Sequence, residues 1–133
     1  MTDLIEMKTA DLAGEALGWA VGIADGLDLI PEYGNPWRVF ARYQGQAIAH
    51  TKLYNPWEDW ALGGSLIESI DPEERRVPKV LGGGRGAEVW ADLGDGDARV
   101  GFASGETRLI AATRAYVAAK LGDTVQVPKK LLP

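Results

Sequence analysis

Two stretches of helical periodicity, one near each end, constrain this chain more than any other feature of its sequence. Between Ala10 and Asp25, Leu12, Ala16, Trp19, Ala20 and Ile23 recur at the spacing of one helix face. Thr9 is placed to cap that helix and Gly26 to end it. Between Arg108 and Leu121, Leu109, Ala112, Tyr116 and Ala119 line a second face, with Thr107 as cap and Gly122 as stop. An apolar helix stripe must be covered, and strand-like segments lie between the two helices. The expectation is therefore α+β: two long terminal helices packed on a small antiparallel sheet. At 133 residues the chain has the size of one domain, and residues 1–133 show no repeat or linker.

Two hairpins supply that sheet. Trp37–Tyr43 and Gln46–Lys52 are rich in β-branched and aromatic residues around Gln44-Gly45. Glu88–Leu93 and Ala98–Ala103 flank Gly94-Asp95-Gly96-Asp97, a turn composition. Residues 29–36, with two prolines and Gly34, read as a loop. Asn55-Pro56-Trp57-Glu58 has a helix-start signature, with Asn55 as cap and Glu58 closing a capping box. Gly63-Gly64 should end that helix early, leaving short helical turns in the middle, the second over Ser65–Ile70. Asp71–Lys79 reads as a charged loop running into Gly82-Gly83-Gly84-Arg85-Gly86, and Thr124–Val127 as a short edge strand.

Most chemical readings fail on the residues. There is no cysteine, and His50 is the single histidine, so thiolate chemistry and histidine-rich zinc sites are excluded. The aspartates at 92, 95 and 97 have the wrong spacing for a calcium loop, whose closing glutamate would fall on Ala103. Gly63-Gly64-Ser65 lacks the second flank of a nucleophile elbow. The glycine run lacks a Gly-Lys-Ser/Thr ending and leads into a strand, unlike a phosphate loop. No catalytic residue, metal ligand or cofactor site emerges, which disfavours an enzyme. The formal charge of −5 argues against nonspecific nucleic-acid binding. No segment is apolar for the 18 or so residues that a membrane span needs, and Met1–Lys8 is too charged for a secretory signal.

Two features survive. Tyr54, Trp57 and Trp60 crowd the central turn beside Gly63-Gly64, where tryptophan suits a core, an interface or a stacking site alike. Gly14, Gly18 and Gly22 form a stripe at steps of four, which calls for a close approach by a helix, another subunit or a ligand.

Residues 11–21, 54–68 and 107–123 together resemble the NinX-like family of phage and prophage proteins. Their central run is Tyr54-Asn55-Pro56-Trp57-Glu58-Asp59-Trp60-Ala61-Leu62-Gly63-Gly64-Ser65-Leu66-Ile67-Glu68. The resemblance implies a phage origin and action in the cytoplasm of an infected bacterium, but no assigned activity and so no catalytic residues. Trp60, Gly63, Gly64, Ile67, Glu68, Arg114 and Tyr116 match the family's pattern; Trp57 and Ser65 depart from it.

The expectation is a non-enzymatic accessory protein whose ligand site comprises Tyr54, Trp60, Gly63, Gly64, Glu68, Arg114 and Tyr116. It would sequester a small, nucleotide-derived host molecule, with Trp60 and Tyr54 stacking a planar group while Arg114 or Arg85 pairs with an anion. The first alternative is a module that binds a host protein through the same aromatics, the second an enzyme with an unrecognised site, and a homo-oligomer fits the binding readings.

Overall fold

The computed structural model of the protein describes residues 3–32, 38–44, 49–94 and 96–132. Its elements run β1 (Leu4–Lys8), α1 (Gly14–Ala24), β2 (Asp28–Glu32), β3 (Arg38–Gln44), β4 (Ala49–Leu53), α2 (Trp60–Ile70), β5 (Glu73–Arg76), β6 (Arg85–Gly94), β7 (Asp97–Gly105), α3 (Arg108–Leu121) and β8 (Thr124–Pro128). The class is α+β.

The last helix is the best explained by its sequence. The Thr107 hydroxyl accepts from the Ile110 amide at 3.1 Å, and Gly122 ends α3 at φ +93. Its buried side is dominated by Ala111, Ala112, Ala115 and Ala119, which let the helix lie close against β6 and β7. Those strands are the expected second hairpin, longer at both ends. β5 joins them antiparallel, in the order β5-β6-β7, within a segment that composition reads as loop. Its four charged residues carry no apolar alternation because every one of them is exposed.

The first hairpin lies in a different sheet, ordered β2-β3-β4, so the two hairpins do not share one sheet as expected. Its turn and Trp37 lie outside the described residues. β2 occupies part of the expected loop at 29–36. It tolerates Pro31 because it is an edge strand, where a missing ladder donor can face away from its partner. This sheet is fastened to α1 by Glu15, whose Oε1 accepts from the Val39 amide at 2.8 Å, with Arg38 3.6 Å away. Burial pushes the Glu15 carboxyl above its ordinary value, against the opposing pull of the Val39 amide and Arg38. The third pairing, β1 with β8, lies outside the helices in sequence, so α1 and α3 are not terminal elements.

α1 starts later than its periodicity suggests, at Gly14, with Ala13 at the cap position. Thr9 does not cap it: its hydroxyl donates to the Gly122 carbonyl at 2.7 Å, and its amide donates to that of Asp123 at 2.7 Å. The buried side is Ala16, Leu17, Ala20 and Val21, while Trp19 is half-buried and Ile23 exposed. The glycine stripe divides. Gly18 lies against the Trp57 ring and Gly22 against Leu29, whereas Gly14 has open space and a φ of +55.

α2 contradicts the expected brief helices. It runs unbroken through Gly63-Gly64, from an Asp59 cap whose carboxylate accepts from the Ala61 amide at 2.8 Å. Asn55 caps nothing: its side-chain amide donates to Glu58 instead, at 2.9 Å. Gly63 is there for packing, since a Cβ would collide with the Pro56 carbonyl oxygen and meet Leu109 at 2.6 Å.

Tyr116 closes the core between α3 and α1, donating its phenolic hydrogen to Asp25 Oδ1. Desolvation, then the hydrogen bond to Asp25, pushes the phenol above its ordinary value of 10.0. The folded protein thus holds the proton longer than the unfolded chain. The stability this linkage contributes is whole below pH 10 and drains as pH rises beyond it. Tyr116→Phe should cost about 1–2 kcal/mol at pH 7, the scale of one such hydrogen bond. It should also flatten the alkaline decline, measured by urea denaturation between pH 7 and 11.5. A decline as steep as the parent's would show that Tyr116 is not the linked group.

Candidate functional site

The expected site residues fall in three places. Tyr54 and Tyr116 are core residues, 5% and 6% exposed. Tyr54 shares with Asp25 a shallow depression between α1 and α2 of about 270 Å³. Gly63 is buried beneath Pro56, and Glu68 is exposed on α2.

Trp60 stands on the surface at the start of α2, 53% exposed. The Arg108 guanidinium lies 5.6 Å from its ring centroid, over the face. That guanidinium is itself held by Glu74 at 2.5 Å, and the hydrogen bond to Glu74 raises its affinity for the proton still further. Gly64 lies directly beneath the ring: a Cβ there would meet it at 3.3 Å. One aromatic face is therefore taken by a neighbouring arginine.

Arg114 lies elsewhere on α3 and is half-buried. Its Nε donates to the Leu12 carbonyl at 2.7 Å and its Nη1 to the Ser104 carbonyl at 2.8 Å. These two bonds fix the plane of the guanidinium, and no carboxylate among the described residues pairs with it. Arg114 borders an open cleft of about 360 Å³ between the start of α1, the end of β7 and the Gly82–Gly84 loop. Ile110 supplies an apolar wall, and Glu106 and Ser104 stand on the rim. No described cleft is lined by both Trp60 and Arg114, so the expected stack beside Arg114 is not the arrangement found.

The glycine loop shapes this cleft rather than charging it. Gly82, Gly83 and Gly84 all have positive φ, which other residues rarely adopt. The Gly82 and Gly83 amides are spent on the Lys79 and Pro78 carbonyls, at 3.1 and 3.0 Å. A backbone anion nest needs such amides free. Those two amides therefore lend the cleft no anion-binding donors.

Periodicity and motif do not single out the outer face of β6 and β7. Trp90 and Val100 pair across the strands, and Phe102 lies opposite Glu88. Trp90, Val100 and Phe102 are all exposed, with Arg75 5.4 Å from the Phe102 ring centroid. The alternation of β7 could have revealed this face, since Val100 and Phe102 stand two apart with Gly101 and Ala103 on the inner side. Among the described residues, no group of three acidic, histidine or cysteine side chains could hold a metal. No helix of the described residues is long and apolar enough to cross a membrane.

A family model described as Bacteriophage P22, NinX matches residues 8–120. The chain belongs to that family of phage proteins. No curated protein sequence matches it.

Proposed function

We propose that this NinX-family protein is a non-enzymatic binding protein that sequesters a small, phosphorylated, nucleotide-derived molecule in the Arg114 cleft. Its place of action on this reading is the cytoplasm of an infected bacterium, where it would serve host takeover or blunt a host defence. One observation carries the reading: Arg114 is fixed by two backbone carbonyls, has no carboxylate partner among the described residues, and borders a cleft. An oriented guanidinium without its own counter-ion recognises phosphate through parallel hydrogen bonds. Glu106 on the rim offers an acceptor for the amino or imino hydrogens of a base, and Ile110 offers apolar contact.

Arg114→Ala should weaken binding by about 1.5–3 kcal/mol, but it also removes the bonds to Leu12 and Ser104 and would destabilise the fold. Ala13→Phe is the cleaner probe. Ala13 is exposed, has an extended backbone and lines the cleft, so a ring there obstructs the site without entering the core. In a thermal-shift panel of nucleotides and nucleotide-derived signals, a true ligand at a hundredfold excess over Kd should stabilise the parent by about 2.7 kcal/mol. Ala13→Phe should abolish that gain. No response in the panel, or an equal response in the variant, would reject the cleft. The reading favoured then is a host-protein partner with a basic and apolar surface. Trp90, Val100 and Phe102 supply the apolar band for it, flanked by Glu73, Glu88 and Asp92.

A further inference from the structure

Between residues 75 and 85 the chain carries Arg75, Arg76, Lys79 and Arg85 and no acid, within a protein of net charge −5. The fold concentrates this charge further. Antiparallel pairing sets Arg76 of β5 directly opposite Arg85 of β6, and Arg85 opposite Gly105 of β7. Gly105 lines the Arg114 cleft, as does Gly84, the residue before Arg85. Arg85 thus adjoins the cleft lining by strand pairing and by chain continuity, and Arg76 stands one strand further out.

They also share its side of the sheet. Alternation along β5 places Arg76 on the same face as Glu74, and Glu74 reaches Arg108 of α3. That is the side α3 covers and the side from which Arg114 projects. Directly opposed residues in an antiparallel pair have Cα atoms roughly 4.5–5.5 Å apart, and like charges so placed destabilise the sheet. Acids could relieve the repulsion. Yet among the described residues the ion pairs involve Arg38, Arg42 and Arg108, and neither Arg76 nor Arg85 has a carboxylate partner. Glu74, which shares their face of the sheet, is already held by Arg108, and Glu106 on the cleft rim forms no ion pair with either of them.

We infer that Arg76 and Arg85 form a second phosphate position at the cleft rim, so that the ligand carries at least two linked phosphates. The inference rests on the cleft reading given above. An anion bridging the two guanidinium groups turns a repulsive pair into a bidentate clamp, while Arg114 holds the neighbouring phosphate. A compact di- or triphosphate fits better than a nucleic-acid strand. The cleft is of small-molecule size, and an extended phosphate backbone would leave the basic rim for an acidic surface.

Calorimetry with inorganic orthophosphate, pyrophosphate and tripolyphosphate at constant ionic strength tests this. The parent should bind pyrophosphate at least about tenfold more tightly than orthophosphate. The double variant Arg76→Gln, Arg85→Gln should cut that ratio to about twofold or less, and should melt no lower than the parent because the repulsion is gone. A ratio kept by the variant, or absent from the parent, overturns the second position. So does a single-stranded 12-mer binding as tightly as tripolyphosphate. If nucleotides bind in an Ala13-dependent way but the phosphate ladder is flat, this inference fails and the cleft reading stands. If neither nucleotides nor inorganic phosphates bind, both fail together.

Discussion

Gly101→Ala should be among the most damaging single substitutions in this protein, costing about 3 kcal/mol or more. Gly101 sits in β7 beneath α3, and a Cβ there would collide with the Ala115 carbonyl oxygen and the Ala119 amide nitrogen. Both are backbone atoms of α3, so no rotamer change relieves the clash. The whole of α3 would have to lift. Its contact layer is built of small residues, Ala111, Ala112, Ala115 and Ala119 against Ala87, Val89, Ala91 and Ala103. Such a layer has no long side chain able to fill the gap that lifting opens. Overpacking costs about 1–3 kcal/mol where neighbours can adjust, and this site lies at or beyond the upper end. The melting temperature should fall by roughly 10 °C or more for a domain of this size. Ala98→Ser, on the exposed outer side of the same strand, should shift it little. A Gly101→Ala protein melting within about 2 °C of the parent would contradict the close seating of α3.

Where local signals agree with one another, the sequence is legible. α3 combines a threonine cap, a helical stripe and a terminal glycine, and the structure uses each of them. The hairpin of β6 and β7 is equally open to reading, through turn residues between alternating strands. Failures follow where long-range packing overrides local preference. Gly63-Gly64 looks like a helix stop, yet Gly63 packs on the Pro56 carbonyl and on Leu109 of α3, and no window of neighbouring residues contains Leu109. β5 has no apolar residue to mark it, and β1 finds its partner, β8, at the other end of the sequence. α1 is apolar around most of its circumference, so periodicity gives poor contrast between Trp19 and Ile23 on one side and Leu17 and Val21 on the other.

Of the expected site residues only Arg114 lines the candidate cleft, so the sequence offers that one position and not the arrangement. Arg114 stands out in the sequence and does border a cleft, whereas the aromatic meant to stand beside it faces Arg108. Arg108 and Arg114 are six residues apart, about 240° around the helix, so they cannot serve one aromatic from the same face. The sequence also suggests Arg85 as an anion contact. Its opposition to Arg76 is visible only once β5 is known to be a strand.

The glycine stripe of α1 yields the second large effect. Gly18→Leu should destabilise by about 3 kcal/mol, because the space beside Gly18 is filled by the Trp57 ring, and a Cβ there would also come within 3.1 Å of the Tyr54 carbonyl oxygen. Trp57 belongs to the turn that precedes α2 and presses it against α1. A leucine at 18 must expel the ring, and the turn carrying the buried Pro56 would move with it. Gly22 contrasts with this, since its close neighbours are the methyl ends of Leu29, which can swing aside. The wall at Gly18 is largely one side chain, so the effect should be conditional. On a Trp57→Ala background, Gly18→Leu should cost no more than about 1 kcal/mol, a coupling within the range seen for contacting residues. The mass by light scattering should not change, because Gly18 packs on its own chain. Equal costs on the two backgrounds would mean that Trp57 does not occupy the stripe. A change in mass with little change in stability would instead make Gly18 part of a subunit interface.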